Sequence, residues 1–456
     1  MIKNIKVVNR HSQVMELANQ LKFDILRELI SSAATCQQLA TALGVSKQKI
    51  HYNLNKLMEE ELIEIVEDLP NNGKEVYYRA TAKNYILDFV LGEHIGEDTI
   101  NGRGVIQSIL QSEYNLSLSS IAAKILKQSL RLRARQKLLI VTGKYNLPLV
   151  EKILLEAGRH NIRTTLIYQD AEILRAKYEE YSLAAFNADY DYFNRLLKSH
   201  DAYLNLNGEA RNILLKDPDK LKLRLGHFAR SGEIIRAKKI RVGMMPGLMN
   251  DTLSDKAIES ELQFWKALDV DYEYLARETL AICDQYKDKE LIEISGNDSR
   301  LKFMIKGIMA DTGSFTDSPC QSFAINYPGG EVLMVPAEGT MNGEIHGDVA
   351  YAYGQLIKKP RLVIQNNEVK SFTAETNESL LAKALLQGGI DGRKVALVTL
   401  GTNPNVSLAN IDISFKQKSR GLLSLYWGEN RSLGGNVAGT FEWFLQIENP
   451  QIISKP

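Results

Sequence analysis

The sequence predicts a multidomain protein of the α/β and α+β classes, and three observations carry that prediction. Helix-period apolar spacing in the first sixty residues gives way to two extended segments around an Asn-Gly turn. Strand-like and helix-like runs then alternate from about residue 120 to 250, the signature of a parallel α/β layer. After about residue 290, strand-like runs separated by glycine-rich turns dominate. These shifts place boundaries at 1–90, 91–119 (a glycine-containing connector), 120–270 and 271–456. A chain of 456 residues has room for roughly three domains at about 150 residues each.

At the N-terminus a helical pattern runs through MELANQLKFDILRELI. A short helix, QQLATALG, follows Thr35, a good N-cap, and Gly44 ends it. A third helix starts after Ser46, and Ile50, Leu54, Leu57 and Met58 define its buried face. The segments ELIEIVED and EVYYRAT flank LPNNGK as a β-hairpin. Helix, helix–turn–helix, hairpin is the order of a winged helix, whose second turn-motif helix enters the major groove. Lys47, Gln48, Lys49, His51, Tyr52, Asn55 and Lys56 fall away from the apolar face. Lys74 and Arg79 bring positive charge to the wing. These residue types donate to base edges and phosphates, so DNA is the expected partner. Against this, residues 1–90 hold 11 Lys/Arg and 11 Asp/Glu, whereas phosphate contacts normally carry most of the affinity. An adapter or dimerisation module is the alternative.

The stretch ALGVSKQKIHYNLNKLMEEELIEIVED…GKEVYYRAT resembles the arsenic-repressor-type winged helix-turn-helix over about residues 12–82. Asn53 stands where that family often has His, and Glu61 where Gly often ends the recognition helix. The family's metal-sensing cysteines are not matched, because Cys36 is alone on the second helix and reads as a buried small residue.

Two further stretches invite special readings. KILKQSLRLRARQK (124–137) holds six basic residues, with no acid between Glu113 and Glu151. It is either an anionic-partner contact or, the favoured reading, an amphipathic helix burying Ile125, Leu126 and Leu130. The tyrosine-rich YEEYSLAAFNADYDYF has helical spacing and reads as packing rather than a ligand platform.

From about residue 115 to 450 the chain resembles the aminopeptidase T family, dinuclear-metal leucyl aminopeptidases. INYPGGEVLMVPAEGTMNGEI, LGTNPNVSL and SLYWGENRSLGGNVAGTFEWF carry the resemblance. It implies two divalent ions held by carboxylates and imidazoles that activate a water. Carried over position by position, the ligand set is mostly lost. The Glu of the GEV motif is kept as Glu331. The other four ligand positions hold Leu397, Ser424, Glu442 and Phe444. The seven histidines end at His346, so no shift of alignment restores the missing imidazoles. Lys416 and Lys418 would oppose a dication cluster if they face it.

The resemblance therefore implies a retained fold with its chemistry dropped or replaced. Glu331, Glu338, Asn403, Ser424, Asn430 and Glu442 are the ligand-pocket candidates, and His346 and Asp348 are further polar residues nearby in sequence. No cofactor is expected; the remaining alternative is a single divalent cation between Glu331 and Glu442. Ser424 has no GxSxG context and is not read as a nucleophile.

Composition bounds the rest. Fifty-six basic residues against 55 acidic ones, net +1, exclude a polycationic nucleic-acid coat and an acidic tail. Three cysteines make neither a disulfide framework nor a CxxC zinc site. No run reaches the roughly 18 apolar residues of a membrane span, and no signal-peptide core is seen, so a cytoplasmic protein without membrane partners is expected. The leading expectation is a regulator: a homodimeric winged helix fused to a pseudo-aminopeptidase that binds a small molecule or peptide. A peptide-processing enzyme with a remodelled site, and a peptide-binding adapter in a biosynthetic pathway, are the alternatives.

Overall fold

A computed structural model of the protein describes residues 2–8, 10–66, 76–87, 111, 115–207, 216–245, 255–296, 298–408 and 413–455. Two compact units emerge: Met1–Asn115 with Asn250–Leu262, and Leu116–Met249 with Gln263–Pro456.

In the smaller unit the elements are β1 (Lys3–Val8), α1 (His11–Leu17), α2 (Gln20–Ser31), β2 (Ala34–Thr35), α3 (Cys36–Leu43), α4 (Lys47–Glu59), β3 (Ile63–Ile65), β4 (Tyr77–Ala80) and β5 (Ala82–Leu87). The expected first helix is two helices. Asn19 accepts a hydrogen bond from the Lys22 N–H at 3.2 Å and restarts the chain as α2. Thr35 and Gln38 close a reciprocal capping box on α3. Gly44, at φ 66°, ends that helix in the left-handed region that glycine adopts without strain. Ile25, Leu29, Leu39, Ile50, Leu54, Leu57 and Leu62 form the core. Strands β3 and β4 pair antiparallel and β2 joins β4, as a wing requires. The turn holding Lys74 and the connector up to residue 110 lie outside the described residues. A parallel β1–β5 pair, foreign to the sequence reading, joins the start of the unit to the strand after the wing. Cys36 is half-buried rather than buried, its thiol 3.4 Å from the Lys47 carbonyl.

The larger unit opens with α5 (Leu118–Lys124), which continues through a π-helical turn at Ile125–Ser129. Strands β6 (Lys137–Thr142), β7 (Arg163–Tyr168), β8 (Ala202–Leu206) and β9 (Arg241–Met244) alternate with α6 (Leu147–Arg159), α7 (Ala171–Glu179), α8 (Leu183–Lys198) and α9 (Pro218–Lys238). All four strands are parallel, as the alternation predicts. Tyr178, Phe186 and Tyr190 pack with Leu174 and Leu223, so these rings of the tyrosine-rich stretch are packing residues, while Tyr181 and Tyr192 are exposed. The helical span expected at 255–287 breaks into α10 (Asp255–Leu268) and α11 (Tyr272–Tyr286), because the Asp271 carboxylate caps the second.

The expected boundary at residue 270 is not a structural one. β12 (Ala324–Asn326) crosses back to pair with β9, making a five-stranded parallel sheet of order β12-β9-β8-β6-β7. The remaining strands form one twelve-stranded antiparallel sheet: β10 (Leu291–Gly296), β11 (Ser299–Asp311), β13 (Glu331–Pro336), β14 (Asn342–His346), β15 (Val349–Ala352), β16 (Gln355–Lys358), β17 (Arg361–Gln365), β18 (Glu368–Thr373), β19 (Leu397–Gly401), β20 (Leu423–Glu429), β21 (Ala438–Ile447) and β22 (Gln451–Lys455). One face of its central strands, including Val332, Met334, Val398, Leu425 and Leu445, is buried in one extended hydrophobic core. The opposite face carries the candidate site.

Candidate nucleic-acid interface and remodelled cleft

Helix α4 presents its polar face as its apolar period dictates. Ile50, Leu54 and Leu57 are buried, while Lys47, Gln48, Lys49, His51, Tyr52 and Asn55 are exposed. Two of the expected DNA contacts are already engaged. The Lys56 ammonium bonds Glu59 at 2.6 Å, and the Arg79 guanidinium bonds Glu64 at 2.6 Å. Those two acids offset much of the charge the pair would offer a phosphate. Asn53, where the resembling family often has His, is buried and donates to the Lys49 carbonyl at 2.7 Å.

In the larger unit, strand register gathers the former ligand positions on one face. Leu333, Thr399, Ser424 and Gln446 share a row across β13, β19, β20 and β21. Leu397, Tyr426 and Phe444 share another, and Glu331 lies opposite Gly401. Residues paired across strands share a face, so Glu331, Leu397, Ser424 and Phe444 all point the same way. The resemblance thus predicts the right face. Convergence is less complete: Glu331 is buried, whereas Glu442 is exposed beside Gly428. The single cation between Glu331 and Glu442 is not supported by that placement.

What Glu331 does face is Lys418. The Lys418 Nζ lies 2.6 Å from Glu331 Oε1 and 2.8 Å from Asp311 Oδ2, and it also donates to the Asn326 carbonyl at 3.3 Å. The three side chains are 4%, 5% and 1% exposed for Lys418, Glu331 and Asp311. Asp311 is further held by the Asn326 N–H at 3.1 Å and the Gly313 N–H at 3.4 Å. Burial works against the charged Lys418, but Asp311 and Glu331 outweigh it and hold its pKa above the ordinary value. Burial raises the Glu331 carboxyl, with Lys418 pulling against it and Asp311 adding to it. Of the two lysines flagged in the sequence, Lys418 meets the retained glutamate, while Lys416 pairs with Glu448 at 3.2 Å.

Glycines make this approach possible. A Cβ on Gly401 would sit 2.1 Å from the Ser419 carbonyl, and one on Gly330 would meet Asn403 at 2.9 Å. The Gly330, Gly401–Asn403 and Lys418–Ser419 backbones are therefore stacked closely, with the Asn403 N–H donating to the Lys418 carbonyl at 2.9 Å.

The other candidates separate into structural and open groups. Asn403 is buried and donates to the carbonyls of Ala267 and Gly329, while its own oxygen accepts from Asn405. Asn430 donates to Ala396 and accepts from Val437. Both therefore anchor loops through these hydrogen bonds. Glu338 is exposed and accepts from Asn436 at 2.7 Å. His346 contacts Glu344 at 2.7 Å, and Asp348 pairs with Lys359. Ser424 is buried, and its Oγ, like the Thr399 Oγ1 and the amide Nε2 and Oε1 of Gln446 in the same row, has no hydrogen-bond partner among the described residues.

The metal set implied by the aminopeptidase resemblance does not fit these residues. Leu397 and Phe444 offer no donor, Ser424 only a neutral hydroxyl, and the Glu331 carboxylate is already met by an ammonium. Among the described residues, no group of three His, Cys, Asp or Glu is placed to share an ion. Asp311 was missed from sequence because it lies outside every resembling motif; its one signal is an acid that closes the short apolar run Ile308–Ala310 before Gly313.

Residues 19–64 match the family model described as winged helix-turn-helix DNA-binding. This segment is a winged helix-turn-helix. Over most of its length the chain has the aminopeptidase T fold. AmpT from Thermus thermophilus aligns at 14% identity over 74% of this chain and 97% of its own, with a TM-score of 0.52. The 2,5-dihydroxypyridine dioxygenase from Pseudomonas putida KT2440 aligns at 14% identity over 74% of this chain and 93% of its own, with a TM-score of 0.51. No curated protein sequence matches the chain. Two differently named neighbours at nearly equal similarity show that this fold alone does not select a chemistry. No helix among the described residues is long and apolar enough to cross a membrane.

Proposed function

We propose that the protein is a DNA-binding regulator whose aminopeptidase-like unit binds a small molecule or peptide without hydrolysing it. The observation that carries this reading is the Lys418 ammonium set between Asp311 and Glu331, which neutralises the retained carboxylate. With Leu397 and Phe444 in place of ligands, no group on that face is equipped to activate a water by the family's route. The sheet face keeps its close glycine–backbone stacking, and ligand-dependent regulation needs only that a ligand bind two states with different affinity. A homodimer would present two α4 helices to a palindromic site.

Binding of the full chain to duplex DNA at low salt tests the first half. Lys49→Ala lowers the slope of log affinity on log salt by about 1, and Lys56→Ala lowers it less because Glu59 already holds that ammonium. No affinity at low salt removes the DNA reading. Stoichiometric zinc, cobalt or manganese in the purified protein, with turnover of aminoacyl amides, removes the non-hydrolytic one.

A further inference from the structure

We propose that the polar row Thr399–Ser424–Gln446 recognises an uncharged carboxamide, a primary or cyclic amide joined to an apolar body. The proposal rests on the ligand-binding reading above and names the chemistry of the ligand. Thr399, Ser424 and Gln446 lie directly opposite one another on β19, β20 and β21. Their side chains therefore share one face, at strand spacings of about 4.8 Å. They are 6%, 2% and 0% exposed. The Thr399 Oγ1, the Ser424 Oγ and both amide atoms of Gln446 have no hydrogen-bond partner among the described residues. Folded proteins leave few buried polar atoms unmatched, and a run of them on three adjacent strands is a hydrogen-bonding surface suited to a partner from outside the fold.

The row next to it on the same face is apolar. Leu397, Tyr426 and Phe444 are paired across the same three strands, two positions along from Thr399, Ser424 and Gln446. Leu397 is buried and the two rings are half-buried. Phe444 also stacks on Tyr351, with ring centroids 6.0 Å apart. Two positions along a strand are about 7 Å, roughly the width of a ring and its amide substituent. An apolar body over Phe444 and Tyr426 thus places its amide at Gln446 and Ser424.

Donor and acceptor count selects the class. Gln446 presents an N–H donor and a carbonyl acceptor side by side. An amide whose C=O and N–H lie on one edge, primary or cyclic, meets both at once. A carboxylate offers only acceptors and leaves the Gln446 Oε1 unmet; an ammonium offers only donors and leaves the Nε2 unmet. The two hydroxyls donate or accept as the ligand requires. Charge selects further: the row holds no ionised side chain, and Lys418 is already held by Asp311 and Glu331. A buried ligand charge would find no counter-charge in the row, at a cost a neutral amide avoids.

Benzamide is the probe, with benzoate, benzylamine and N,N-dimethylbenzamide as its anionic, cationic and donor-free counterparts. Each is titrated into the full-length protein at neutral pH, followed by saturation-transfer NMR and by the melting temperature. Benzamide should bind and raise the melting temperature, and each counterpart should bind about tenfold more weakly or not at all. Gln446→Met keeps the side chain's size but not its amide. It should weaken benzamide about tenfold and leave the protein without benzamide at least as stable as wild type. Ser424→Ala, a smaller change, should weaken benzamide about threefold. Benzamide that does not bind, binds no better than its counterparts, or binds Gln446→Met as well as wild type overturns the proposal. So does a Gln446→Met protein less stable than wild type, since the amide is then satisfied inside the fold. A charged counterpart that binds in place of benzamide defeats the carboxamide assignment but keeps the ligand-binding reading. Turnover of benzamide to benzoate by metal-loaded protein defeats the non-hydrolytic reading but keeps the amide recognition.

Discussion

The winged helix and the remodelled cleft are specified over very different distances along the chain. In the winged helix, Thr35 and Gln38 cap each other three residues apart, Ser46 caps α4 through Lys49, and Gly44 makes the turn between the helices. In the cleft, Lys418 reaches Asp311 across 107 residues. The first is a motif any short window displays. The second exists only after β11 and β13 have paired and the loop holding Lys418 has docked. A fold can therefore keep its turns and glycines while a single side chain arriving from a distant loop changes what its face can do.

Removing Lys418 should give the largest effect. Lys418→Ala leaves Asp311 and Glu331 buried beside each other without a counter-charge, and breaking a buried pair in this way costs about 3–5 kcal/mol. Denaturant unfolding followed by a probe in the larger unit measures it. Lys418→Met with Asp311→Asn and Glu331→Gln, which removes every charge of the triad, should recover much of the loss. Equal stability of Lys418→Ala and wild type would mean that the triad is solvated in solution.

The pH dependence of the two regions should differ as well. Burial raises Glu331 above its ordinary 4.5, so the folded state holds its proton more tightly than the unfolded chain does. Its favourable contribution is present below about 4.5 and is lost as pH rises through the raised value. Lys418 is also raised, from 10.5, so its contribution is complete below that pH and falls away in stronger alkali. Glu331→Gln should abolish this loss with rising pH in the larger unit and leave the winged helix unchanged. A decline that survives the substitution would assign it to other groups.

How much was legible follows the same division. Periodicity located α3, α4, the wing strands and the parallel strands β6 to β9, because each is a local pattern with its own cap or turn. The break at Asn19 was not read, since the apolar spacing continues through it while the cap acts on the backbone. β12 was not assigned to the parallel sheet because three residues give no pattern and their partner lies some eighty positions earlier. At the site, Glu331 and the loss of ligands at Leu397 and Phe444 were visible in the motifs. Lys418 was visible as a charge of the wrong sign, but its place between two carboxylates was not. Residue type alone also does not reveal that the Asn403 and Asn430 amides donate to the neighbouring Gly329 and Ala396 carbonyls.

The smallest effect sharpens the contrast most directly. Thr35→Ala removes one half of the capping box and leaves the Gln38 N–H without its partner at the start of α3, at a cost of about 1 kcal/mol. Because the interaction spans three residues, the loss should stay within the winged helix. Hydrogen exchange should quicken at the first turn of α3 and, more weakly, in α4, which shares the Leu39–Ile50 core. Exchange in β13 and β19 should not move. Duplex affinity should fall only as far as α4 loses order, with no change in the salt slope, since no phosphate contact has been removed. A changed slope would instead mean that Thr35 itself meets the DNA.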